Sequence, residues 1–168
     1  MDSSKKPDLY QLARALSAAQ LPYAVIGGVA LQIHQDEPRT TLDIDIAVVD
    51  CSRLPRTALV DLGFRETGRF AHSENWVGPG GTPVQFTDDP EFAAAIQSAE
   101  AVAVDDLSLA VLRAVDLLHA KLRAAGDPAR RASKRLQDVA DALALVEKDA
   151  SLKDALDARE LLLLDRVP

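Results

Sequence analysis

Tyr23-Ala24-Val25-Ile26-Gly27-Gly28-Val29-Ala30-Leu31, followed shortly by Arg39-Thr40-Thr41-Leu42-Asp43-Ile44-Asp45-Ile46, is the stretch that decides how this chain folds. An apolar run that stops at Gly-Gly and resumes as an amphipathic segment predicts strand, tight turn and helix. Glycines at that junction leave backbone N–H groups open to close approach, and at a helix start such groups suit an anion, a phosphate in particular. Asp43 and Asp45 fall two apart in a second strand, expected over 41–49. Period-2 geometry then places both carboxylates, with Thr41, on one face and Leu42, Ile44 and Ile46 on the other.

Two residues along a strand span about 6.5 Å, so the carboxylates can converge to about 4 to 5 Å. At an effective dielectric near 20 they repel by on the order of 3 to 4 kcal/mol, which a bridging divalent cation removes. Mg²⁺ (or Mn²⁺) takes hard oxygen ligands, accepts one or two protein carboxylates and completes its shell with water and phosphate oxygens. Taken alone, Asp-x-Asp also fits the solvent face of an edge strand. The preceding Gly-Gly, the Arg39-Thr40-Thr41 lead-in and the Val and Ile runs of a central strand favour a site, with Arg39 able to reach a phosphate.

The two quoted segments resemble the signature of the nucleotidyltransferase superfamily of the DNA polymerase beta type, and within it the AbiEii-like prokaryotic nucleotidyltransferases, which include toxins of toxin–antitoxin pairs. Further on, Leu118-His119-Ala120-Lys121-Leu122, then Arg131, Asp138 and Asp141, resemble that family's C-terminal Lys, Arg and Asp-x-x-Asp pattern. The resemblance implies an α/β (α+β) nucleotidyltransferase fold, a mixed sheet flanked by helices with a C-terminal helical subdomain. It implies that Gly27 and Gly28 cradle a triphosphate and that Asp43 and Asp45 are catalytic and hold Mg²⁺ or Mn²⁺. Arg39, Thr41 and Lys121 would be nucleotide contacts, with Asp138 and Asp141 as secondary positions.

The implied activity is metal-dependent transfer of NMP from an NTP to an unidentified acceptor, RNA, protein or small molecule, an EC 2.7.7-type reaction. The implied setting is prokaryotic, with an antitoxin protein as partner. Two positions depart from the family's pattern. Gln85 stands on the strand 82–87 where relatives carry a third carboxylate, and an amide can neither carry that charge nor accept a proton. Asp89 shares the face of Gln85 but lies roughly 13 Å along the strand. Val29 follows the glycines where relatives carry Ser or Thr. A catalytically degraded member that binds nucleotide or a protein partner is the alternative these departures allow.

The 168 residues, 48% hydrophobic, suffice for an α/β lobe over 1–107 and a helical lobe over 108–168, packed as one unit. A net charge of −7 disfavours sequence-blind binding to nucleic acid, the basic run Arg123 to Arg135 being the local exception. Cys51, the single cysteine, excludes an intramolecular disulfide or a Cys-based zinc cluster. With no apolar leader and no run of membrane-spanning length, a cytoplasmic location and no membrane partner are expected.

Apolar spacing predicts helices over 8–20, 29–34, 53–62 and 91–98, and strands over 23–26, 64–70, 74–77 and 102–104. A helix capped by Ser108 is expected to run to 124, followed by helices over 128–147 and 152–164. Lys134, Asp138 and Asp141 form one stripe of the 128–147 helix, readable as an ion-paired solvent face or as an anchor for Lys121. Lys121 itself could snorkel to solvent beside Leu122.

Overall fold

The structure, a computed structural model, describes residues 5–35, 40–105 and 107–165. β1 (Tyr23–Ile26) and β2 (Ile44–Val48) lie at the middle of a seven-stranded sheet, paired antiparallel with Ile26 opposite Asp45. Outward from β2 run β5 (Pro83–Thr87), β4 (Ser73–Val77) and β3 (Arg65–Arg69), and outward from β1 run β7 (Leu107–Val111) and β6 (Glu100–Val104). The pairs β2–β5 and β1–β7 are parallel and the rest antiparallel, so the sheet is mixed as expected. The helices are α1 (Lys6–Ala18), α2 (Gly27–His34), α3 (Arg56–Asp61), α4 (Ala93–Gln97), α5 (Ala114–Gly126), α6 (Ala132–Lys148) and α7 (Ala158–Leu164).

Residues opposite one another in register share a face, so pairing sorts the central strands into two surfaces. One surface carries Tyr23, Val25, Ile44, Ile46, Val48, Val84, Phe86 and Trp76, all buried, with Trp76 and Phe86 in an edge-to-face contact at 6.5 Å. The other carries Ala24 and Ala47, then Ile26, Asp45, Gln85 and Asn75 in one row across four strands. The alternation buried Val84, exposed Gln85, buried Phe86 fixes the register of β5, because a slip of one residue would turn Phe86 out to water.

Glu74 is the exception on the apolar surface, buried yet charged. Arg56, at the start of α3, answers it with two bonds, Nη2 to Oε1 at 2.6 Å and Nη1 to Oε2 at 2.9 Å, and lies 6.0 Å from the Trp76 ring centroid. The bond to Glu74 raises the Arg56 pKa further above its ordinary value. Trp76, flanking the glycine-rich turn in sequence, is therefore a core residue and not a free stacking platform.

Two expectations are corrected. The stretch 107–111 is a strand and not the opening of the helix expected over 108–124, because Leu109 and Val111 also alternate, and β7 closes against both β1 and β6. The helix begins at Ala114, and Ser108 is no cap. Residues 5–33, 40–105 and 107–113 form one compact unit, and 34–35 with 114–165 form another in which α5, α6 and α7 pack together. The second correction is that the strand expected over 41–49 starts only at Ile44, and Leu42, expected on the core face, is 77% exposed.

Cys51 is 6% exposed, and burial, reinforced by the nearby Asp88 carboxylate, pushes its thiol up to about 12. At pH 8 a thiol-specific reagent is expected to modify Cys51 only as fast as the protein unfolds, with reaction accelerating in urea. Rapid stoichiometric modification of the native protein would contradict the packing of this region.

Candidate active site

The site is assembled by what the two glycines lack. Gly27 has φ +60°, the left-handed region that glycine alone enters without penalty, and it turns the chain from β1 into α2. A Cβ built on Gly27 would collide with the carboxylate of Asp45, and one built on Gly28 would come within 2.6 Å of the Thr41 side chain. The carboxylate segment thus lies directly on the turn. The antiparallel pairing of Ile26 with Asp45 forces this, since the residue after Ile26 must face whatever β2 presents there.

Thr41 is buried and its hydroxyl donates to Asp43 Oδ1 at 2.7 Å. That local bond competes with strand pairing and holds 41–43 as a bend ahead of β2. Asp43 is exposed and Asp45 half-buried beside the turn. The first-turn N–H groups of α2 have no intrahelical partner, and no acidic residue occupies that turn. Arg39 lies outside the described residues.

On the other side of Asp45, Gln85 is its in-register parallel partner, and Asn75 is the antiparallel partner of Gln85. Asp89, the carboxylate on the face of Gln85, and its neighbour Asp88 are both engaged elsewhere. Asp88 Oδ2 accepts from the Cys51 N–H at 3.0 Å while its Oδ1 lies 3.3 Å from His72 Nδ1, and Asp89 caps the turn that follows. Among the described residues no group of three or more His, Cys, Asp or Glu side chains is gathered to hold a metal. Asp43 and Asp45 fit an ion such as Mg²⁺, which takes one or two protein carboxylates and draws its remaining ligands from water and phosphate. Asn75 was not anticipated; counting parity back through the 78–82 turn from Gln85 is the signal that would have found it.

In the helical unit Lys121 does not snorkel. Its Nζ lies 3.1 Å from Asp138 Oδ1 and 2.8 Å from Asp141 Oδ2, with all three side chains largely buried, and Arg130 Nε donates to Asp138 Oδ2 at 2.7 Å. Two cations balance two carboxylates, as burial of such charges requires. Of the two readings of the stripe, these ion pairs fit the inward-facing anchor for Lys121, and Lys134 stays exposed at its margin.

No family model matches the sequence, and no curated protein matches it. Solved structures do. An antigenic nucleotidyltransferase-like protein from Paracoccidioides brasiliensis superposes with a TM-score of 0.62 at 20% identity, over 98% of this chain and 89% of that one. The antibiotic-resistance factor ANT(2″)-Ia in solution gives 0.66 at 17% identity, over 97% and 96% of the two chains. A crystal structure of ANT(2″)-Ia in complex with adenylyl-2″-tobramycin gives 0.60 at 10% identity, over 99% and 100%. The chain has the nucleotidyltransferase fold, of the α+β kind with a mixed sheet.

Gly27 and Gly81 both have positive φ, but only Gly27 is pressed on by a neighbour; nothing lies within 4 Å of a Cβ at Gly81. Gly81→Ala should cost about 1 kcal/mol for the left-handed backbone alone, and Gly27→Ala measurably more, because Asp45 must also move. Urea unfolding of the two variants checks this. Equal losses would mean that Asp45 does not rest on the turn.

Proposed function

We propose that the protein transfers a nucleoside monophosphate from an NTP to an acceptor, with release of pyrophosphate, at the site formed by Gly27, Gly28, Thr41, Asp43 and Asp45. The observation that carries this reading is the seating of Asp45 and Thr41 on the glycine turn. A triphosphate at the N–H groups of that turn would have its oxygens beside two carboxylates, a repulsive arrangement unless a divalent cation lies between. Bound there, Mg²⁺ would neutralise charge on the phosphate oxygens and orient them for in-line displacement.

The chain's own contribution is positional. Gly27 and Gly28 let the backbone approach the phosphates, Thr41 fixes the orientation of Asp43, and Asp43 with Asp45 would hold the cation. The likeness to AbiEii-like enzymes further proposes Arg39 and Lys121 as phosphate contacts, with Asp138 and Asp141 orienting the Lys121 ammonium. It also proposes a prokaryotic, cytoplasmic setting with an antitoxin partner. No described helix is long and apolar enough to cross a membrane.

That ANT(2″)-Ia has been captured with adenylyl-2″-tobramycin supports nucleotidyl transfer as a reaction this fold can perform, without extending the acceptor to this chain. A second reading, a nucleotide-binding protein without transferase activity, is favoured by one observation: an amide, Gln85, beside Asp45.

Calorimetry with a mixture of the four NTPs tests the shared premise. Heat of binding is expected with Mg²⁺ and not with EDTA, and affinity should fall by at least about tenfold, or ~1.4 kcal/mol, in Asp43→Asn and in Asp45→Asn. Binding indifferent to the metal and to both substitutions would overturn the assignment. Release of labelled pyrophosphate on addition of an acceptor then favours the transferase over the binding protein.

A further inference from the structure

The row Asp45, Gln85, Asn75 crosses three adjacent strands on the site face, one carboxylate followed by two carboxamides. Neighbouring strands lie about 4.8 Å apart, so Gln85 is the β5 side chain set beside Asp45. We propose that this row selects an acceptor whose attacking oxygen is already ionised at neutral pH, that of a phosphate monoester or a carboxylate, in preference to a neutral hydroxyl. The proposal rests on the nucleotidyl-transfer reading above.

The chemistry of the row points both ways to the same class. A hydroxyl must lose its proton as it attacks, and a side chain that removes it must be a base. Gln85 and Asn75 are not bases: a carboxamide donates through its NH₂ and accepts through its oxygen but does not take up a proton near neutrality. Asp43 and Asp45, if they hold the cation, have their lone pairs and charge committed to it. Asp88 and Asp89 lie past Thr87 at the opposite end of β5 and are engaged by Cys51, His72 and the following turn.

Carboxamide N–H groups are, however, good donors to an oxyanion, where a carboxylate at the same position would repel it. The amide beside Asp45 thus disfavours an acceptor that needs deprotonation and favours one that arrives charged. The step balances without a proton. The acceptor oxyanion forms a bond to the α-phosphorus, the bond from that phosphorus to the bridging oxygen of the β-phosphate breaks, and its electron pair leaves on pyrophosphate. A phosphate monoester gives a diphosphate diester and a carboxylate gives an acyl nucleotidate.

The full-length protein, incubated with Mg²⁺ and α-labelled NTPs, is offered glucose 1-phosphate, gluconate or glucose, and products are identified by mass spectrometry. Label is expected on glucose 1-phosphate or on gluconate, the two arms separating phosphate from carboxylate, with glucose slower by about 10²-fold, the usual contribution of a general base. Gln85→Glu should reverse the preference, lowering transfer to the oxyanion by at least about tenfold and raising transfer to glucose by a similar factor. The proposal is overturned if the wild-type protein uses glucose as readily as the charged probes. It is equally overturned if no oxyanion is labelled although calorimetry shows metal-dependent NTP binding. Absence of that binding would instead remove the parent reading, and this one with it.

Discussion

One packing contact organises this protein: a carboxylate strand laid against a turn that has no side chains to keep it away. Ile26 pairs with Asp45, and the next residue, Gly27, turns left-handed with Asp45 in the space where a Cβ would be. The apolar surface of β1, β2 and β5 supplies the rigidity behind this contact, since Val25, Ile46 and Phe86 are fully buried and lock the register of all three strands. Buried hydrophobic area thus fixes, through period-2 alternation, which polar groups appear together on the opposite surface.

Much of this was legible in the sequence because it depends on local rules. The strand, turn and helix around Gly27 and Gly28 follow from an apolar run broken by glycine, and the facing of Gln85 follows from alternation with Val84 and Phe86. What was misread depended on competition between local and long-range terms. Residues 107–124 satisfy both a helical and an alternating pattern, and pairing with β1 and β6 decides for strand over the first five. Asp43 was placed inside a strand because parity takes no account of the Thr41 hydroxyl, which bonds its carboxylate and holds the chain in a bend.

The two units use charge in opposite ways. In the helical unit Lys121, Asp138, Asp141 and Arg130 neutralise one another, an arrangement that suits burial; spacing on α6 alone left a solvent face and an anchor for Lys121 both open, and the partner on α5 decides between them. In the sheet unit Asp43 and Asp45 lie near the surface beside the first turn of α2, where a bridging divalent cation would relieve the repulsion of like charges. In the first the charges are met within the unit itself; in the second we propose that a cation and a phosphate ligand meet them.

The most direct test is crystallographic, using Mn²⁺ in place of Mg²⁺ together with an NTP analogue that resists attack at the α-phosphorus, and locating the metal by its anomalous scattering. The expected result is a peak within about 2.0 to 2.3 Å of carboxylate oxygens from both Asp43 and Asp45, with the triphosphate over Gly27 and Gly28. A metal bound elsewhere, or a triphosphate seated away from the glycine turn, would contradict the assignment of this site.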